Sequence, residues 1–99
     1  MRKGLNGEMM YRVKWLEQTS DCGCPSMWEG ETDDGKYIYI RWRYDFLRAV
    51  VGNHNKEYYD KGNYILEDCT VVYYEKYSAK DGWLTTERME RILKPYFIF

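Results

Sequence analysis

The pair Asp34-Gly35 stands between two runs in which apolar and polar residues alternate, and no other feature narrows the possible folds of this chain as much. Glycine accepts the positive φ angles of a tight turn, so the pattern predicts a hairpin with arms over Met27–Thr32 and Lys36–Leu47. Successive side chains of a strand point to opposite faces. Along the second arm this gives Ile38, Ile40, Trp42, Tyr44 and Phe46 to one face, which reads as core. Tyr37, Tyr39, Arg41, Arg43 and Asp45 fall on the other.

Further strands follow from the same period. Residues 9–16, MMYRVKWL, place Met9, Tyr11, Val13 and Trp15 opposite Arg12 and Lys14, as in a half-buried strand. Residues 64–77 are rich in β-branched and aromatic side chains and predict another strand, best defined over Thr70–Lys76. The assignment of Tyr64–Glu67 stays open between part of that strand and a short separate one. Asn53–Asn63 is polar and reads as a long connection. After the turn at Lys80-Asp81-Gly82, Thr85 is placed to cap a helix, with Glu87 in its first turn and Leu84 and Met89 at the positions of a hydrophobic staple. Met89, Ile92, Leu93 and Tyr96 form its apolar stripe, and Pro95 stops it at Leu93 or Lys94. The apolar ending YFIF is expected to pack on the core or to add to a sheet edge. Together these elements predict an α+β fold: a small twisted antiparallel sheet of four to five strands, with one C-terminal helix packed on one face.

Length and charge bound the function. Ninety-nine residues suit a single domain over 1–99, in which residues 1–8 read as a loose tail ahead of the alternative starts Met9 and Met10. The net charge is −1, with acids and bases evenly divided between the two halves, so a strongly basic nucleic-acid binder is not written into the composition. No apolar run reaches the roughly 18 to 20 residues of a membrane helix, and the N-terminus lacks the apolar core of a signal peptide. Three cysteines, an odd number, favour reduced thiols and a cytoplasmic location.

Catalytic signatures are absent. There is one histidine, no glycine-rich phosphate loop and no serine-nucleophile motif, and no cofactor is implied. Cys22, Cys24, His54 and Cys69 supply the ligand count of a Cys₃His zinc site, but the Cys-x-Cys spacing is atypical and the ligands come from distant segments. The opposing reading takes Cys69 as a small hydrophobe, His54 as a solvated loop residue and the other two as free thiols. The acids Glu29, Glu31, Asp33 and Asp34 lack calcium-loop spacing and read as a solvated hairpin tip.

Over residues 22–48, with Trp28-Glu29-Gly30, the turn at Asp34-Gly35 and the strand Tyr39-Ile40-Arg41-Trp42-Arg43, the chain resembles small proteins of bacteria and their phages. That resemblance implies no activity, cofactor or catalytic residue. It implies a context in which small proteins act by binding a host or defence protein. The candidate binding residues are therefore Tyr37, Tyr39, Arg41 and Arg43, since tyrosine and arginine concentrate binding energy at protein interfaces. The same residue types stack bases and contact phosphates in single-strand binders. The expected function is a non-enzymatic module that binds a protein partner, with single-stranded nucleic acid as the alternative, a zinc-stabilised module as a further one, and homodimerisation open. Three structural roles compete for this face: cover by the C-terminal helix, pairing of the arginines with Glu29 or Glu31, and cross-strand pairing of the tyrosines.

Overall fold

A computed structural model describes residues 10–19, 26–78 and 84–99 of the chain. Its strands are β1 (Tyr11–Gln18), β2 (Ser26–Thr32), β3 (Tyr37–Arg43), β4 (Phe46–Gly52), β5 (Cys69–Lys76) and β6 (Phe97–Ile98), with helices α1 (Lys56–Asp60) and α2 (Thr86–Leu93). They form one sheet in the order β5-β4-β3-β2-β1-β6. All neighbours are antiparallel except β1 and β6. The α+β expectation holds at that level, but six strands replace four to five and a second, short helix is present. The expected tail at residues 1–8, Met9 and the turn at 80–82 lie outside the described residues.

The Asp34-Gly35 turn joins β2 and β3 as its chemistry requires, with Gly35 at φ 85°. The second arm is not one strand to Leu47. It reverses after Arg43 through Tyr44 and Asp45, both left-handed at φ 54° and 63°, the conformation of a two-residue hairpin turn whose twist matches its strands. Tyr44 is consequently 79% exposed rather than core. Phe46 opens the next strand opposite Arg43 and shares that residue's face.

One face of the sheet carries the main core. Trp28, Ile38, Ile40, Trp42, Leu47 and Ala49 meet Leu84, Met89, Leu93 and Phe97 there. The alternation assigned to β3 is thus in the predicted register, with Trp42 4% exposed. Helix α2 covers this core face and leaves the opposite face free of it. Thr85 caps the helix, accepting the Arg88 N–H at 3.2 Å, and the staple pair Leu84 and Met89 is buried. The ending does add to a sheet edge: Phe97 and Ile98 pair in parallel with Tyr11 and Arg12.

Strand β1 departs from strict alternation. A register shift between Val13 and Trp15 turns Leu16 to the core in place of Trp15, as a bulge does by inserting one residue. Trp15 instead donates its indole N–H to Glu31 Oε1 at 3.0 Å on the opposite face. Among the described residues no helix is long and apolar enough to cross a membrane.

Candidate functional site

The face opposite α2 is divided into two halves, and the sequence between β4 and β5 divides it. Residues 53–68 fold back over the start of β3 as α1 and a 3-10 turn at Ile65–Glu67, which settles Tyr64–Glu67 as neither of the predicted strands. Tyr59 and Ile65 then bury Tyr37 and Val50, with Tyr39 and Tyr58 packed alongside. Gly52 permits the close approach: a Cβ there would collide with the Tyr59 hydroxyl and the Ile65 side chain. The Tyr59 hydroxyl accepts the backbone N–H groups of Asn53 and His54 at 3.0 and 3.3 Å and donates to the Asp68 carbonyl at 3.0 Å. One buried side chain thus holds both ends of the excursion.

The hairpin acids are used in this covered half. Tyr37 Oη donates to Glu29 Oε1 at 3.0 Å, and burial followed by this bond pushes the Tyr37 phenol well above its ordinary pKa. Glu31 accepts the Lys56 backbone N–H at 2.9 Å as well as the Trp15 indole N–H. Both bonds, the backbone one foremost, hold its carboxyl below the usual range. Neither acid pairs with Arg41 or Arg43.

The other half is open and basic. Arg41 on β3 stands directly opposite Arg48 on β4, Arg48 opposite Tyr74 on β5, and Phe46 opposite both Arg43 and Lys76. Partners in register share a face, so three arginines, a lysine and two aromatic rings occupy one surface at the β3–β4 turn. Arg41, Arg43, Arg48, Tyr44, Phe46 and Tyr74 line a concavity of about 260 Å³. Two rings form its wall, with the centroids of Phe46 and Tyr74 5.3 Å apart. Arg43 lies over the Tyr44 ring at 4.6 Å and donates from Nη2 to Tyr44 Oη at 3.0 Å. This fixes one guanidinium beside the turn.

Among the described residues no carboxylate forms an ion pair with Arg41, Arg43 or Arg48. Like charges directly opposite on a sheet destabilise it. Moreover, the Nε atoms of Arg41 and Arg48 are buried without an acceptor among the described residues. An unsatisfied buried donor costs about 1 to 3 kcal/mol. A stable fold carries such a cluster at a cost. The arrangement presents hydrogen-bond donors, positive charge and stacking surfaces. Among the described residues the thiol is that of Cys69, and it is shifted the wrong way for a nucleophile, since burial pushes its pKa up more than Arg48 pulls it down.

Of the four predicted binding residues, the structure keeps Arg41 and Arg43 together in this concavity and removes Tyr37, which is 9% exposed beneath α1. Tyr39 is half-buried at the border, its hydroxyl 3.6 Å from Met27 Sδ. Tyr37 and Tyr39 stack along their own strand at 6.4 Å rather than across strands. Arg48, Phe46, Tyr44 and Tyr74 were not in the predicted set. They are brought in by the turn at Tyr44-Asp45, whose two-residue length places Arg48 opposite Arg41.

Of the four zinc candidates the structure places His54 and Cys69. Cys22 and Cys24 lie outside the described residues. His54 Nε2 sits 3.1 Å from Asp68 Oδ2 and its ring stacks on Tyr58 at 3.8 Å, while Cys69 pairs in register with Gly52. Among the described residues no three metal-ligating side chains converge. A second, more apolar groove runs between α2 and the β6 edge, where Met10, Phe97, Ile98 and Phe99 meet Arg91 and Lys94.

Comparison with family models, with curated proteins and with solved structures finds no match to this chain.

Proposed function

We propose that the protein is a non-enzymatic binding module that acts in the cytoplasm by gripping an acidic site on a partner protein through the open half of its β3–β4–β5 face. The observation that carries this reading is the facing pair Arg41 and Arg48, joined by Arg43, with no carboxylate partner among the described residues. Evidence of a second kind comes from residue type: arginine, tyrosine and phenylalanine are the side chains interfaces favour, and here they surround one concavity. A nucleic-acid strand is less well matched. Such binders line a long groove with cations, whereas this basic area is a single depression on a chain of net charge −1, with Glu29 and Glu31 beyond it.

Occupying the surface of a host or defence protein is the context that the resemblance at residues 22–48 adds. The test is affinity capture from cell lysate after nuclease treatment, run beside Arg43→Ala and Arg48→Gln variants. A specific protein retained by the parent and lost by both folded variants supports the reading. Retention that disappears with nuclease, or that both variants preserve, contradicts it.

A further inference from the structure

We propose that the group entering the Arg41–Arg43–Arg48 concavity is a phosphate monoester, carried on a phosphotyrosine side chain of the partner. This rests on the reading of the face as the binding surface and names its ligand. Three arginine side chains line this one concavity. A guanidinium presents its donors as a rigid planar fork that matches a carboxylate or phosphate bidentately. A carboxylate has two oxygens and one negative charge. A phosphate monoester offers three strong acceptor oxygens and a charge of about −1.5 to −2 at neutral pH. Three guanidiniums lining one depression of about 260 Å³ therefore suit the monoester in both acceptor count and charge.

The pairing of the arginines points the same way. Arg41 and Arg48 stand on directly opposed positions of neighbouring strands and line the concavity with Arg43, and among the described residues no carboxylate forms an ion pair with any of the three, so an entering oxyanion meets no competing anion there. A phosphodiester link in nucleic acid is the poorer fit, having a single charge and two free oxygens. What carries the phosphate is read from the rim. Tyr44, Phe46 and Tyr74 stand at the edge of the concavity with 79%, 41% and 56% exposure, and aromatic rings pair by offset or edge contacts. A phosphorylated tyrosine places its own ring among them, whereas phosphoserine leaves them in water.

The experiment titrates the full-length protein with four probes: a phosphotyrosine peptide, the same peptide unphosphorylated, its phosphoserine counterpart, and adenosine monophosphate. Charge-assisted contacts of this kind correspond to roughly tenfold to a hundredfold in affinity. The phosphotyrosine peptide should bind about a hundredfold more tightly than its unphosphorylated form and about tenfold more tightly than the phosphoserine peptide. Arg43→Ala, whose side chain is exposed, should lose about tenfold or more, while the melting temperature falls by no more than a few degrees through the lost contact with Tyr44. Equal binding of the unphosphorylated peptide overturns the phosphate assignment, and tighter binding of the nucleotide overturns its protein source. If no probe binds while nuclease-resistant capture still depends on Arg43 and Arg48, only this inference falls. If capture ignores both arginines, the underlying reading falls with it.

Discussion

Tyr44 joins a strained backbone conformation to the rim of the Arg41–Arg43–Arg48 concavity. Neither Tyr44 nor Asp45 is glycine, yet both sit at positive φ, a region that costs of order 1 to 3 kcal/mol for an ordinary side chain. The tyrosine ring offsets only part of that through its contact with Arg43, worth about 0.5 to 1 kcal/mol at an exposed site. Tyr44→Gly is therefore expected to raise the melting temperature by a few degrees, since about 1 kcal/mol corresponds to roughly 4 to 8 °C in a domain of this size. The same change should weaken partner binding. Thermal unfolding and affinity measured on one preparation check both halves, and a variant that is less stable and binds normally would place the strain elsewhere. At Tyr59 the expectation runs the other way. Tyr59→Phe strands two backbone N–H groups and should cost about 1 to 3 kcal/mol, with amide exchange accelerating first at Asn53 and His54.

Among the elements, α2 and the β3–β4 hairpin differ in how openly the sequence announces them. The α2 helix is marked at every position that matters: the Thr85 cap, the Leu84 and Met89 staple, the apolar stripe and Pro95. Leu93 is fully buried in its stripe, so Leu93→Asp should destabilise by several kcal/mol through an unpaired buried charge. Chemical denaturation gives the value, and an unchanged midpoint would mean that α2 does not pack as described. The hairpin, by contrast, turns without the glycine or asparagine that usually signals positive φ. Reading Lys36–Leu47 as one strand put Tyr44 and Phe46 in the core and hid Arg48 from view. The alternation of Ile38, Ile40 and Trp42 was legible because burial enforces it. The bulge in β1 was not, because one inserted residue leaves no local mark. Nor was the cover over Tyr37: that depends on Tyr59 and Ile65 returning from a distant segment.

At the scale of the whole molecule the charges are segregated within a single face. Acids of the β2–β3 hairpin serve the α1 half, and among the described residues the arginines at the far end have no carboxylate in an ion pair. Glu31 makes this separable by pH. Its folded carboxyl is held below the ordinary range by the Lys56 N–H and then the Trp15 indole, so its contribution to stability is complete above the unfolded pKa and is lost as pH falls through the folded value. Glu31→Gln should lower stability at neutral pH and flatten the acid limb of the stability profile, without altering affinity for the partner. A loss of affinity in that variant would show that the two halves act together. The division itself is tested most directly by the Nε–H nuclear magnetic resonance signals of Arg41 and Arg48, followed while phosphotyrosine peptide is added to the full-length protein. Both signals should shift together and saturate at one stoichiometric equivalent while the Trp15 indole N–H stays in place. Arginine signals that remain fixed while the perturbation gathers on Phe97, Ile98 and Phe99 would move the binding surface to the opposite edge of the sheet.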